Sequence, residues 1–382
     1  MDESFELSQV EKKLFDLASQ KRVPIYGGFE LTPYCNLSCK MCYVKETAPG
    51  LPVLDADTWL DFARQAADMG TLVTQITGGE PMVHPEFRKI YSGFKKLGMV
   101  VTMNTNGTQI DESMADFLAA DMPRRMNVSL YGPNREVYER LCGSGRAFDR
   151  TIRGIELMKE RGIPVKINLT PTTINFPHLD GILDICRQYE LPVEMTAYMF
   201  EPLRRSSTER QGYRLNPEEM AIAIEKWDRY RYNSNEMIAR CILAAQGLDH
   251  FEESRKIEGY TRLRCRAANS SFWLCWNGKM NACANMTKPQ ADVRELGFAG
   301  AWEEVKCYGE TIRVSAKCLS CSLKRFCLNC AAIGLHENGT FEQIPQIMCD
   351  ATEALARNLA KNVTRVERRN TEERPNENQE ES

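Results

Sequence analysis

Three cysteines fall within eight positions of the stretch "LTPYCNLSCKMCYVK": Cys35, Cys39 and Cys42, separated by three residues and then by two. Thiols this close together form a chelating loop, because the thiolate is the metal-binding form of cysteine. A structural zinc site is normally closed by four ligands, and a cubane iron–sulfur cluster is normally held by four cysteines. Three thiols with no histidine nearby therefore suggest a cluster with one iron left to a substrate or cofactor. A zinc site completed by a remote cysteine is the alternative that spacing leaves open.

A second set lies in the last third of the chain. Cys265 is followed by twelve residues, Gly278, four residues and Cys283; "CLSCSLKRFCLNC" then supplies Cys318, Cys321, Cys327 and Cys330, and Cys349 comes last. By itself the C-x2-C-x5-C-x2-C run also fits a structural zinc ribbon. Fifteen cysteines in 382 residues are many for an ordinary cytosolic enzyme, yet below the roughly 8–10% of short secreted disulfide scaffolds. In a reducing compartment such clusters bind metal or iron–sulfur more often than they form disulfides. Cys142, Cys186, Cys241 and Cys307 stand outside both sets and read as buried apolar residues.

The elements that must position these thiols follow from periodicity. Short β-branched runs at 25–31, 72–77, 100–105, 126–131, 165–170 and 193–199 alternate with helix-length amphipathic stretches, the pattern of a parallel α/β domain. Asp55 is placed to cap "ADTWLDFARQAADM", and Gly70, Gly98 and Gly162 each follow a helical run where a C-cap glycine sits. The first cysteine loop then lies at the C-terminal end of strand one, where parallel α/β folds carry their active sites. The expected organisation is an N-terminal helix (1–24), a partial (β/α)6 barrel similar to a TIM barrel (25–215), a helical bridge (216–262), a small cysteine-rich domain (263–350), and a last helix with a disordered acidic tail (351–382). The cysteine-rich part has few long periodic segments, so metal would have to staple it.

Net charge is −3, which argues against a polyanionic partner such as nucleic acid. The acidic N-terminus lacks a signal-peptide core, and no run of about 18 apolar residues occurs. A cytoplasmic protein acting on a small molecule or a protein, with no membrane partner, is expected.

With C-x3-C-x2-C after the first strand and the aromatic Tyr43 behind it, the sequence resembles the radical S-adenosylmethionine (SAM) enzymes. The resemblance implies that the open iron chelates the amino and carboxylate groups of SAM. An electron from the cluster then cleaves SAM to a 5'-deoxyadenosyl radical, which takes hydrogen from the substrate. "TGGEP" (77–81), with Gly78, Gly79 and Glu80, matches the family's glycine-rich element that receives the SAM amino group, and glycine suits close backbone approach. Asn104, Asn106, Ser129 and Asn168 end successive strands at positions that family members use for the SAM ribose and carboxylate. Arg140 is a candidate carboxylate partner, since guanidinium grips carboxylate bidentately.

The later cysteines resemble the SPASM extension of these enzymes, which brings the implied total to three [4Fe–4S] clusters. By the family's crossed pattern Cys265, Cys283 and Cys330 hold the first auxiliary cluster, and Cys318, Cys321, Cys327 and Cys349 the second. Cys327 and Cys330 enclose two residues where the family usually has three. The first auxiliary cluster lacks a fourth thiolate: Ala268 stands where sulfatase-maturing relatives carry it. Cys275 is not expected to substitute, because a hairpin turning at Asn277-Gly278 would pair Cys275 with Met280 and Cys283 with Phe272, on opposite faces.

The resemblance implies modification of a ribosomally made peptide, by thioether or carbon–carbon crosslinking. A small-molecule substrate and formylglycine formation are the enzymatic alternatives, and a non-catalytic iron–sulfur or zinc scaffold a distant one. Formylglycine formation is disfavoured because Ala284, then Asn285, replace the aspartate that sulfatase-maturing relatives carry after the cysteine matching Cys283. Residues 1–24 are too few for a leader-binding winged-helix module, so a separate leader-binding protein or the barrel surface is expected to take that role. A reductase, flavodoxin or ferredoxin would supply electrons. The basic stretch at 202–210 is a candidate contact for an acidic peptide. Tyr198 and Glu201 are candidates for proton transfer, while substrate, bond formed and oligomeric state stay open.

Overall fold

A computed structural model describes residues 9–43, 50–200 and 212–372, with side chains to residue 362. The basic stretch at 202–210, Glu201 and most of the acidic tail lie outside the described residues. Six strands run in parallel: β1 (Tyr26–Glu30), β2 (Val73–Thr77), β3 (Val100–Thr105), β4 (Arg125–Ser129), β5 (Val165–Leu169) and β6 (Val193–Met195). The connecting helices are α2 (Ala56–Asp68), α3 (Phe87–Lys96), α4 (Glu112–Ala120), α5 (Arg135–Cys142), α6 (Arg146–Glu160) and α7 (Leu179–Gln188), and α1 (Gln9–Lys21) precedes the first strand. Asp55 caps α2 by accepting from the Thr58 amide at 2.8 Å, and Gly70, Gly98 and Gly162 take the positive φ of helix ends.

The chain continues through α8 (Pro217–Arg231), α9 (Ser234–Asp249), α10 (Phe251–Ser254) and β7 (Tyr260–Arg262). It then forms β8 (Ser271–Leu274), β9 (Lys279–Asn281), β10 (Pro289–Asp292) and α11 (Val293–Thr311). Last come β11 (Arg313–Ser315), α12 (Lys317–Ser320), α13 (Ala331–Asn338) and α14 (Gln346–Glu372). Among the described residues no helix is long and apolar enough to cross a membrane.

Two compact units result, and they divide the chain differently from the sequence expectation. The first comprises Met1–Arg214 with Arg262–Arg313, the second Leu215–Thr261 with Val314–Ser382. The expected cysteine-rich domain is therefore split: its strands β8–β10 extend the barrel sheet, in the order β10-β9-β8-β1-β2-β3-β4-β5-β6. The cause is visible in the sequence of β1. β8 lies parallel beside it with Gly27 opposite Phe272 and Gly28 opposite Trp273. A Cβ on Gly27 would sit 2.2 Å from the Phe272 ring, and one on Gly28 would sit 2.1 Å from the Trp273 ring. The Trp273 indole then donates to the buried Glu30 carboxylate at 2.6 Å.

The outer face of β1 anchors the core of this unit. Phe29 is fully buried and meets Trp59 of α2, Phe94 of α3 and Phe272 of β8 edge-on, at centroid distances of 6.3, 4.9 and 5.6 Å. Phe272 in turn meets Phe298 of α11 at 4.9 Å. Such edge-to-face pairs add to the burial of large rings.

In the second unit α14 packs along α8 and α9. Buried Asp228 on α8 takes Arg231 at 2.7 Å and Arg240 at 2.5 Å. Gly247 on α9 lets the segment around Leu323 approach closely, and the Ser322 hydroxyl donates to the Gly247 carbonyl at 2.6 Å.

Phe29→Ala is expected to lower stability by about 3–5 kcal/mol, the usual cost of emptying a buried phenylalanine site. Anaerobic chemical denaturation checks this; a loss under about 1 kcal/mol would show that the cluster around β1 does not anchor the unit.

Candidate active site

The three thiols of the first motif sit in the loop after β1 and line one cavity of about 450 Å³ at the C-terminal ends of the strands. Helix α5 holds the loop through carbonyls at its end, which a helix leaves unpaired. Ser38 donates its amide to Cys142 at 3.0 Å and Lys40 to Leu141 at 2.9 Å. The Cys35 sulfur takes the Leu37 amide at 3.4 Å and the Asn106 side-chain amide at 3.7 Å. Burial pushes the Cys35 thiol up to about 12; the Leu37 amide opposes this, and the charges of Glu80, Cys39 and Cys42 add to it. A thiol so placed needs a bound metal to hold it deprotonated.

The Gly-Gly-Glu segment after β2 locks this loop from behind. Gly79 donates to Thr32 at 2.8 Å and Glu80 to Tyr34 at 2.8 Å. A Cβ on Gly79 would lie 2.1 Å from the Tyr34 carbonyl oxygen, so only glycine fits. The Glu80 carboxylate is fully buried. It takes the Thr105 hydroxyl at 2.8 Å and the Asn106 amide at 2.7 Å. Asn106 passes the connection back to the loop by donating to Asn36 at 2.9 Å. Burial raises the Glu80 carboxyl to about 7 against the pull of the Asn106, Thr105 and Met82 donors.

Tyr43, Gly78, Gly79 and Asn104 line the cavity with the thiols, as do Asn106, Ser129 and Asn168. Two expected residues lie elsewhere. Glu80 is behind the wall, spent on backbone and hydroxyl donors. Arg140 is exposed on α5, because that helix turns Val137, Tyr138, Leu141 and Cys142 inward and Glu139 and Arg140 outward. Tyr198 and Asn285 are on the cavity wall. The sequence reading missed Gln75, Arg125, Asn127, Lys166 and Glu194, which also face the cavity. The missed signal is polar alternation: strands of a parallel sheet covered on both faces usually read as continuous apolar runs, whereas "RMNVS" and "VKINL" alternate.

The hairpin register also differs from expectation. Trp273 pairs with Asn281 and Leu274 with Met280, one residue off the expected pairing, because the loop spans Trp276-Asn277-Gly278 with Gly278 at φ +78°. Three-residue hairpin loops use this left-handed position. The opposite-face argument against Cys275 therefore falls. Its sulfur is buried and takes the Asn281 side-chain amide at 3.4 Å. Cys283 leaves the strand and receives the Asn285 amide at 3.4 Å, while Cys265 is exposed.

In the second unit Cys318, Cys321, Cys327 and Cys349 are all partly exposed, and each of Cys318, Cys321 and Cys349 feels the charge of Cys327. Burial raises the Cys349 thiol to about 11, with Arg255 the main opposing influence. The Arg255 guanidinium donates to the Cys349 sulfur at 3.6 Å. Cys330 is exposed and precedes α13. Among the described residues no three Cys, His, Asp or Glu side chains converge as on a single metal ion; a cubane spreads its ligands over several irons.

Residues 29–185 match the Radical SAM superfamily. That stretch is a radical SAM domain. Over 342 residues it is 26% identical to an AdoMet-dependent heme synthase of Methanosarcina barkeri, covering 85% of this chain and 96% of that protein. It is 30% identical over 149 residues to the antilisterial bacteriocin subtilosin biosynthesis protein AlbA of Bacillus subtilis, 39% of this chain and 33% of that one. Among solved structures, Streptococcus suis SuiB bound to S-adenosylmethionine shares the fold with a TM-score of 0.63 at 18% identity, over 89% of this chain and 81% of that one. AdoMet-bound anSMEcpe does so with a TM-score of 0.65 at 16% identity, over 90% and 99%.

This radical SAM enzyme thus has a donor set and a cradle that suit its cofactors: three soft thiols on one wall for a cluster, and a side-chain-free Gly78-Gly79 edge beside polar strand ends for SAM.

Gly79→Ala is expected to push the cysteine loop off the sheet and reduce iron bound after anaerobic reconstitution by about one four-iron cluster; unchanged iron would contradict the lock. Glu80 gives a pH signature. Its folded pKa lies above its unfolded one, so its ionisation costs stability as pH rises from roughly 4.5 to about 7. Glu80→Gln should flatten that part of the stability profile, measured by denaturation across this range.

Proposed function

We propose that this radical SAM enzyme modifies a ribosomally synthesised peptide, forming a thioether or carbon–carbon crosslink. The observation that carries the proposal is the size of the cavity. At about 450 Å³ it falls in the range that one small ligand fills, roughly 300–1,000 Å³. SAM would take part of that space, and what remains suits one side chain of a longer substrate. In support, the fold is shared with SuiB crystallised with its precursor peptide SuiA, at a TM-score of 0.58 and 20% identity.

When bound, the reduced cluster and SAM supply a hydrogen-abstracting radical. The protein's part is to position and enclose. Cys35, Cys39 and Cys42 would hold the cluster, and the backbone of the Gly78-Gly79 edge would receive the SAM amino group. Asn104, Ser129 and Asn168 offer side chains to its ribose and carboxylate, and Tyr43 closes the cysteine side. Tyr198 and Asn285 flank the remaining opening, where the substrate side chain enters. In the second unit Cys318, Cys321, Cys327 and Cys349 are proposed to hold an auxiliary cluster, with the Arg255 contact supporting its negative charge.

A second reading, a small-molecule substrate, is favoured by the relatives matched over most of their length, which are named heme synthases.

The test is to reconstitute the protein anaerobically, reduce it, and add SAM with either a peptide from a short reading frame beside its gene or a porphyrin. Formation of 5'-deoxyadenosine with loss of two hydrogens from the peptide is expected. Consumption of the porphyrin instead supports the second reading. No 5'-deoxyadenosine with a fully reduced, iron-replete protein, under either condition, would overturn both.

A further inference from the structure

The cavity does not end at the SAM-binding edge. It continues down the barrel to Arg125 and Lys166, near the N-terminal ends of β4 and β5. Arg125 lies four residues before Ser129, about 13 Å along the strand at roughly 3.3 Å per residue. Asn127 pairs with Lys166 across the sheet and Ser129 with Asn168, so both cations share the lumen face, Lys166 one layer and Arg125 two layers below the polar strand ends. A barrel that only needs to fold fills this space with branched apolar side chains. Here two positive charges occupy it.

Their internal partners are few. Arg125 donates its Nε to the Asn127 side-chain oxygen at 2.9 Å, and among the described residues no carboxylate lies within ion-pair distance of it. Lys166 faces Glu194 at 3.7 Å, and that glutamate is at the exposed edge strand, with 55% of its side chain accessible against 16% for Lys166. Burial makes both groups easier to deprotonate than usual; the Arg125 charge adds to this at Lys166, and the Glu194 charge opposes it at both. Holding like charges together in a half-buried lumen is unfavourable without an anion.

We infer that Arg125 and Lys166 form a subsite for a substrate carboxylate, held several bonds below the carbon that reacts at the mouth. Guanidinium suits a planar carboxylate bidentately, while the lysine acts as a point charge. The inference rests on the reading of the barrel as the substrate chamber, and it fits an acidic side chain of a peptide or a free carboxylic acid equally.

Glutarate is the probe, titrated calorimetrically into SAM-loaded, cluster-replete protein and compared with its neutral diamide. A blocked glutamate pentapeptide and its glutamine counterpart form the second pair, and the pair showing acid selectivity identifies the source. Acid is expected to bind at least tenfold tighter than amide in one pair. Arg125→Gln and Lys166→Gln should each erase most of that selectivity, with Arg125→Lys restoring part of it. Glu194→Gln should tighten acid binding several-fold, because it removes the competing internal carboxylate. No acid selectivity in either pair, or weaker binding in Glu194→Gln, overturns the subsite. If Arg125→Gln does not fold, Lys166→Gln and Glu194→Gln decide the matter. Reductive SAM cleavage by the unaltered protein is measured alongside: its absence counts against the enzyme reading, whereas its presence without acid selectivity counts against the subsite alone.

Discussion

The site depends on one backbone contact, between the ends of β1 and β2. Gly79 and Glu80 donate their amides to Thr32 and Tyr34, at a distance where Gly79 has no room for a side chain. This zipper carries the pairing of the two strands past their ends and fixes where the cysteine loop leaves the sheet. The buried Glu80 carboxylate extends the same lock to β3 through Thr105 and Asn106. Asn106 then contacts both Asn36 and the Cys35 sulfur. Three strand ends are thus tied to one thiol, and the carboxylate at the centre of the network is kept despite the cost of desolvating it because the Thr105 and Asn106 donors satisfy it.

The two faces of the barrel sheet have divided tasks. Outside, Phe29 gathers aromatic rings from α2, α3 and β8 and supplies the packing. Inside, alternate positions of β2 to β6 present Gln75, Asn104, Asn127, Lys166 and Glu194 to a cavity. Stability resides in the outer layer, so the lumen is free to be polar. The glycine pair in β1 adds a further step: by accepting Phe272 and Trp273 alongside, it joins a distant part of the chain to the sheet and brings Asn285 to the cavity wall.

Much of this was legible in the sequence. The six parallel strands, the Asp55 cap and the glycine helix ends follow from local propensity and periodicity, which act over a few residues. The cysteine loop was legible because its spacing is itself the chemistry. What escaped depends on pairing between distant segments. The one-residue error at the hairpin arose because Asn-Gly suits a two-residue turn, while the chain uses a three-residue loop with Gly278 left-handed. The domain boundary escaped because nothing local in "SFWL" says that its partner is β1. Arg140 is a candidate by residue type, whereas the apolar spacing of α5 turns it outward. Arg125 and Lys166 are charges in strands whose apolar positions carry the local signal.

The central claim is that the loop of Cys35, Cys39 and Cys42 holds a cluster with an open iron to which SAM binds directly. Electron paramagnetic resonance of the reduced protein, recorded with and without SAM, tests it most directly. The account predicts that SAM changes the signal of one cluster, and that the change vanishes in Cys35→Ala, Cys39→Ala and Cys42→Ala. A spectrum that SAM leaves untouched, or one that still responds to SAM in those variants, would contradict it.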